Sequence, residues 1–139
     1  MGDITVTAAQ VGACFPDKAE IVDMVAAATI TAGQAVYVDS NGKANLADAN
    51  GSGTLQFRGI ALNGGGAGQA ISVLKKGHCY GFTVSGMAYD AIAYVSNTAG
   101  ALATSAGATS INAGRVVPLP DSDLTKVLYV EADWLRDWS

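Results

Sequence analysis

The sequence predicts an all-β fold, a compact single-domain β-barrel or sandwich of short strands led by an extended N-terminal arm. Three observations predict it. Seventeen glycines and only three prolines punctuate 139 residues. Between the glycines lie short stretches rich in Val, Ile and Tyr, which suit a pleated, half-buried surface. Only residues 17–31 offer a helical period at all.

The elements follow in chain order. Residues 1–15 open with the alternation Ile4-Thr5-Val6-Thr7 and hold no complete amphipathic element, so they read as an arm that orders by packing on something else. Residues 16–139 form the β-rich domain. Over residues 17–31, Ile21, Met24, Val25 and Ala28 have helical spacing and Pro16 suits a helix start. Thr29-Ile30-Thr31 argues the other way, and the extended reading is preferred. Ala35–Asp39 is a strand, and Asn41-Gly42 predicts a type I′ hairpin returning through residues 44–49. Asn50–Gly53 is a loop. Further strands are expected at residues 57–62, 70–74 and 78–84, with breaks at Asn63–Gly68 and at Lys75-Lys76-Gly77. A last strand covers Lys126–Glu131.

Parts of the chain echo one another. Ala35-Val36-Tyr37-Val38-Asp39-Ser40-Asn41 resembles Ala91-Ile92-Ala93-Tyr94-Val95-Ser96-Asn97. Each leads through a small-residue hairpin to a Gly/Arg pair and an aliphatic strand, Arg58-Gly59-Ile60-Ala61 in one case and Gly114-Arg115-Val116-Val117 in the other. Two related strand–hairpin–strand units are one reading. The other is that strand–turn sequences resemble each other anyway.

Half of the chain is apolar, but alanine supplies 25 of those residues. Val, Ile, Leu, Met and the aromatics number 42, enough for a thin core. Charged residues make up 14 % with a net charge of −4. Eight Lys and Arg scattered through an acidic chain argue against nucleic acid, whose phosphates need clustered cations. A low-charge surface suits a protein that sits densely beside its own copies. No apolar run reaches the length of a membrane span. The N-terminus lacks the basic and apolar regions of a signal peptide, so a cytoplasmic, soluble protein is expected. Cys14 and Cys79 read as two free buried thiols, with a disulfide as the alternative.

The search for chemistry gives little. His78 is the only histidine, and its neighbour Cys79 points to the opposite strand face. A Cys–His pair would need Cys14 from across the fold. Asp121-Ser122-Asp123 lacks the Gly and terminal Glu of a calcium loop and reads as a solvated turn. Gly64–Gly68 has neither phosphate-cradle pattern, and no serine sits in a nucleophile elbow. No enzyme, cofactor or metal is expected. Trp134 and Trp138 both fall in the C-terminal tail, which should dock on its own barrel or on a neighbour.

Residues 29–134 resemble the small capsid decoration, or cement, proteins of tailed bacteriophages. The resemblance is carried by Thr31–Val38 with Asn41-Gly42-Lys43, by Arg58–Leu62, and by Ala67–Val73. Val84–Leu102, Gly114–Val117 and the closing strand up to Trp134 continue it. These are turn-and-strand motifs covering about three-quarters of the chain. The resemblance implies a compact decoration domain, often a homotrimer, on the outer surface of an expanded phage capsid. Its partners would be the major capsid protein and copies of itself, with no nucleic acid or membrane. It would be made in the host cytoplasm and end in the virion. In that picture Ile4, Val6, Val11 and Phe15 lie along a capsid or cement subunit, and Trp134 and Trp138 are the other candidate contacts. The competing readings are a phage tail, baseplate or receptor-binding β domain, which outward Tyr80, Tyr89 and Tyr94 would favour, and a small hydrolase with an unrecognised site.

Overall fold

The computed structural model describes residues 2–51 and 53–138. Met1 of the expected arm, Ser52 of the expected loop and Ser139 lie outside the described residues. Among the described residues, ten strands form one curled antiparallel sheet, a half-barrel. They are β1 (Gly12–Ala13), β2 (Glu20–Val25), β3 (Ala35–Val38), β4 (Ala44–Leu46), β5 (Gly59–Ala61), β6 (Ala70–Tyr80), β7 (Ile92–Val95), β8 (Leu102–Ala103), β9 (Asn112–Pro118) and β10 (Lys126–Glu131). The main path runs β4-β3-β5-β6-β10-β9-β7-β8, while β1 and β2 also pair with β6.

That order reads the same from either end. The run β3 to β6 and the run β7 to β10 each place a hairpin outermost, then a returning strand, then a long inner strand. The inner strands β6 and β10 meet at the centre. The registers agree, since Ile60 faces Leu74 as Val116 faces Leu128, and Val36 faces Gly59 as Ile92 faces Arg115. The echo in the sequence is therefore a repeat of topology, with Ile60 and Val116 in equivalent places.

Curling brings the two outer hairpins together. Ala35 N–H donates to Gly100 O at 2.8 Å, Gly100 N–H to Ala47 O at 2.8 Å, and Ala49 N–H to Ser96 O at 2.8 Å. The main core inside this curl contains Phe57, Ile60, Leu74, Val95, Leu102, Ile111, Val116 and Leu128. A second, smaller core gathers Ala26, Ile30, Val36, Ala44, Ala61, Ile71 and Val73, with Val22 and Met24 packed against it. It is enclosed because Ala26 bridges Ala44 in parallel and Ala27 N–H donates to Ala44 O at 2.8 Å. This contact ties β2 back to β4.

Several expectations need correction. Residues 70–74 and 78–84 are not separated at Lys75-Lys76-Gly77. β6 runs through that stretch because β10 pairs with it there, Glu131 facing Lys76 and Val130 facing Gly77. A ladder from distant sequence overrides the local stop signal. The hairpin at Asn41-Gly42 is not type I′, since Gly42 has φ +80° while Asn41 keeps a negative φ. Gly42 N–H donates to Asp39 O at 3.0 Å, and Asp39 Oδ1 accepts from the N–H groups of Asn41 and Lys43, both at 2.9 Å. This is a turn followed by a left-handed glycine, the usual three-residue alternative. In the ambiguous stretch, Pro16–Lys18 makes one 3-10 turn and Glu20–Val25 is a strand. Val22 and Met24 face the second core while Ile21, Asp23 and Val25 are exposed, so the period is 2.

The N-terminal segment is extended, but it lies along the chain's own sheet. Asp3 bridges Ala103 and Val6 bridges Phe82. Ile4 N–H donates to Leu102 O at 2.7 Å, and Thr83 N–H to Thr5 O at 2.8 Å. Residues 2–4 thereby cover the free edge of β8, the usual liability of an open sheet. Ile4 is only 6 % exposed and belongs to the main core. Replacing Ile4 by Ala should therefore destabilise the domain by about 2–4 kcal/mol, as for other buried aliphatic truncations. A free arm would leave chemical denaturation unchanged.

Candidate interaction surface

The residues expected to reach a partner all make contacts within the chain. Val6 and Val11 pack against the main core beside Ile4. Phe15 lies edge-on to His78 with ring centroids 5.1 Å apart. Trp134 is half-buried and its indole Nε1–H donates to Arg58 O at 2.8 Å. Trp138 is 6 % exposed within the main core. The side-chain amide of Gln56 clasps the Trp138 backbone, Nε2–H donating to its carbonyl at 2.8 Å and Oε1 accepting its N–H at 3.0 Å. Of the two destinations foreseen for the tail, the structure shows its own barrel.

Several titratable groups are engaged in structure as well. Cys14 and Cys79 are both free thiols. Burial, offset in part by the Gly12 N–H, pushes Cys79 up to about 12, and burial also raises Cys14. Both shifts run opposite to the lowering that activates a thiol as a nucleophile. β1 brings Cys14 beside β6, where its N–H donates to His78 O at 2.9 Å. Asp121 caps its own turn, accepting from Thr125 N–H at 3.0 Å and from Thr125 Oγ1–H at 2.9 Å. Among the described residues, no three His, Cys, Asp or Glu side chains gather as a metal site. Gly64–Gly68 forms a turn in which Gly66 N–H donates to Gln69 Oε1 at 2.6 Å.

His78 makes a pH prediction. Its ring sits between Phe15 and Tyr129, each with a centroid distance of 5.1 Å. Burial, then the positive charge of Lys18, hold its pKa below the ordinary 6.5. The unfolded chain therefore binds this proton more readily than the folded one. The His78 contribution is complete above the unfolded value and is lost as pH falls through the folded one. The melting temperature should decline on acidification from pH 7, and a His78→Gln variant should show less of that decline. An unchanged pH profile in the variant would count against this packing.

Two shallow hollows mark the outer surface. One, of about 210 Å³, lies over Gly114 and is lined by Ile92, Asn112, Arg115, Tyr129 and Glu131. The other, of about 340 Å³, lies where β2 and β10 both reach Lys76 and is walled by Trp134 and Leu135. Seven large apolar side chains are exposed among the described residues: Ile21, Val25, Val38, Tyr80, Tyr89, Leu124 and Leu135. Leu135 is 98 % exposed. The sequence reading missed Ile21, Val25 and Leu135 as surface groups. The period-2 alternation of β2 carries the signal for the first two.

The fold and this surface define a small all-β domain with several exposed apolar side chains. No family model matches the chain, and comparison with curated proteins and with solved structures finds no match.

Proposed function

We propose that this protein is a structural virion protein that binds the outer surface of an expanded phage capsid and cements neighbouring capsomers, acting as a homotrimer. The observation that supports this most is the surface. A chain with 14 % charged residues exposes seven large aliphatic or aromatic side chains among its described residues. Such side chains supply contact area to a protein partner. The motifs behind the resemblance to cement proteins fall on the strands and turns of one half-barrel. A multivalent copy engaging equivalent sites gains avidity through high effective concentration even where each contact is weak.

The test is co-sedimentation of the purified protein with expanded, undecorated heads of tailed phages. Saturable pelleting at a fixed ratio to the shell subunit is expected. Protein left in the supernatant at all concentrations would contradict the reading. A second reading, a tail or receptor-binding β domain, is favoured by the exposure of Tyr80 and Tyr89. Against it, the Tyr89 hydroxyl already donates to Leu124 O at 2.9 Å, and its ring carries Lys126 Nζ at 4.8 Å.

A further inference from the structure

One strand of the domain is left with an open hydrogen-bonding edge. β2 pairs with β6 along one side, and its other side meets β4 at the C-terminal end, where Ala26 bridges Ala44. Which residues face outward follows from the register. Ala26 N–H donates to Gln69 O, so Ala26, and with it Met24 and Val22, point their backbone groups at β6. Ile21, Asp23 and Val25 alternate with these and point the other way. Ala27, next in the outward series, is the one that donates to Ala44 O. The N–H groups of Ile21, Asp23 and Val25 and the C=O groups of Ile21 and Asp23 face away from β6, whereas the C=O of Val25 lies against Ala44, which bridges Ala26 in parallel. Elsewhere the chain covers such an edge, as residues 2–4 do for β8. Along Ile21–Asp23 of β2 nothing among the described residues covers it, and no proline or lysine blunts the strand.

The side chains at the same three positions are exposed. Ile21 is 41 % and Val25 is 40 % exposed, with Asp23 between them. The only charges on β2 are the carboxylates of Glu20 and Asp23. An extended segment pairing here would satisfy the free backbone groups, cover two aliphatic side chains and meet negative charge. A second copy of β2 fits poorly. The antiparallel register that pairs all three outward residues sets Ile21 against Val25 and Asp23 directly against Asp23, and like charges so placed are destabilising.

We propose that the outer edge of β2 takes up an extended segment of the capsid subunit as an added strand, with aliphatic residues opposite Ile21 and Val25 and a lysine or arginine opposite Asp23. This rests on the cement reading, and it gives the partner contact to β2 in place of the docked N-terminal segment. Main-chain pairing supplies affinity in such strand addition, while the alternate side chains set specificity.

The test is hydrogen exchange, read by residue, on the full chain free and bound to expanded, undecorated heads. In the free protein the amides of Ile21, Asp23 and Val25 should exchange fast, while those of Val22 and Met24, bonded to β6, exchange slowly. On the heads the three outward amides should slow by about tenfold or more. Replacing both Ile21 and Val25 by Lys, at positions outside either core, should weaken head binding by at least about tenfold. Binding with the three amides still fast, or undiminished binding of the double variant, would overturn the edge assignment and leave the cement reading standing. Slowing that rises with protein concentration in the absence of heads would give the edge to a second copy and overturn the named occupant. No binding to heads would overturn both.

Discussion

Truncating Trp138 to alanine is expected to lower the unfolding free energy by about 3–5 kcal/mol, the cost of removing a large buried aromatic from a packed core. In a domain of this size that is a drop of roughly 10–20 °C in melting temperature. The reason lies in where the tail ends. Trp138 is 6 % exposed among main-core residues, its backbone is held by Gln56, and the Arg136 guanidinium lies 4.3 Å from its ring centroid. The indole Nε1–H is buried without a hydrogen-bond partner among the described residues. An orphaned buried donor costs about 1–3 kcal/mol. Trp138→Phe, which removes the donor and keeps most of the ring, should therefore cost less than about 1 kcal/mol, well short of the alanine variant. Equal losses for the two would show that ring packing is not what holds the tail. Urea denaturation of the two variants beside the parent measures this directly.

Placing a methyl group at Gly114 is expected to be as damaging. A Cβ there would sit 2.0 Å from the backbone oxygen of Tyr129 and 2.9 Å from its carbonyl carbon. Those atoms belong to β10, which pairs with β9 at this point, Val130 facing Gly114. The contact is with backbone, so no flexible side chain can yield, and the two strands must separate. Overpacking costs about 1–3 kcal/mol where neighbours can adjust, and Gly114→Ala should reach or exceed about 3 kcal/mol, with loss of protection along β9 and β10. Gly86 provides the control. Nothing lies within 4 Å of its Cβ position, so Gly86→Ala should stay within about 0.5 kcal/mol of the parent. A benign Gly114→Ala would mean that the β9–β10 register differs from the one described.

The strand–turn alternation was legible in the sequence because its signals are local. Val36 and Val38, Ile92 and Tyr94, and Val127 and Tyr129 lie in short runs bounded by turn residues, and each run is a strand. The repeat was legible for the same reason, since equivalent strands carry equivalent residues. The unreadable features depend on partners far away in the chain. Lys75-Lys76-Gly77 looks like a stop until Glu131 and Val130 arrive beside it. Residues 1–15 look like an arm because nothing near them in sequence foretells Leu102, Gly81 and Phe82 as neighbours. The candidate contacts show the same ambiguity: Ile4, Trp134 and Trp138 are apolar groups near the termini, and that position suits a core-facing anchor as well as a partner contact. Ile21 and Val25 were passed over because exposure on β2 is decided by which side of the strand β6 occupies.

The most direct test of the cement assignment is cryo-electron microscopy of expanded, undecorated heads mixed with the purified protein. Regular protrusions at three-fold positions between capsomers, each large enough for three copies, are the predicted result. Bare shells, with the protein found on tails or free in solution, would contradict it.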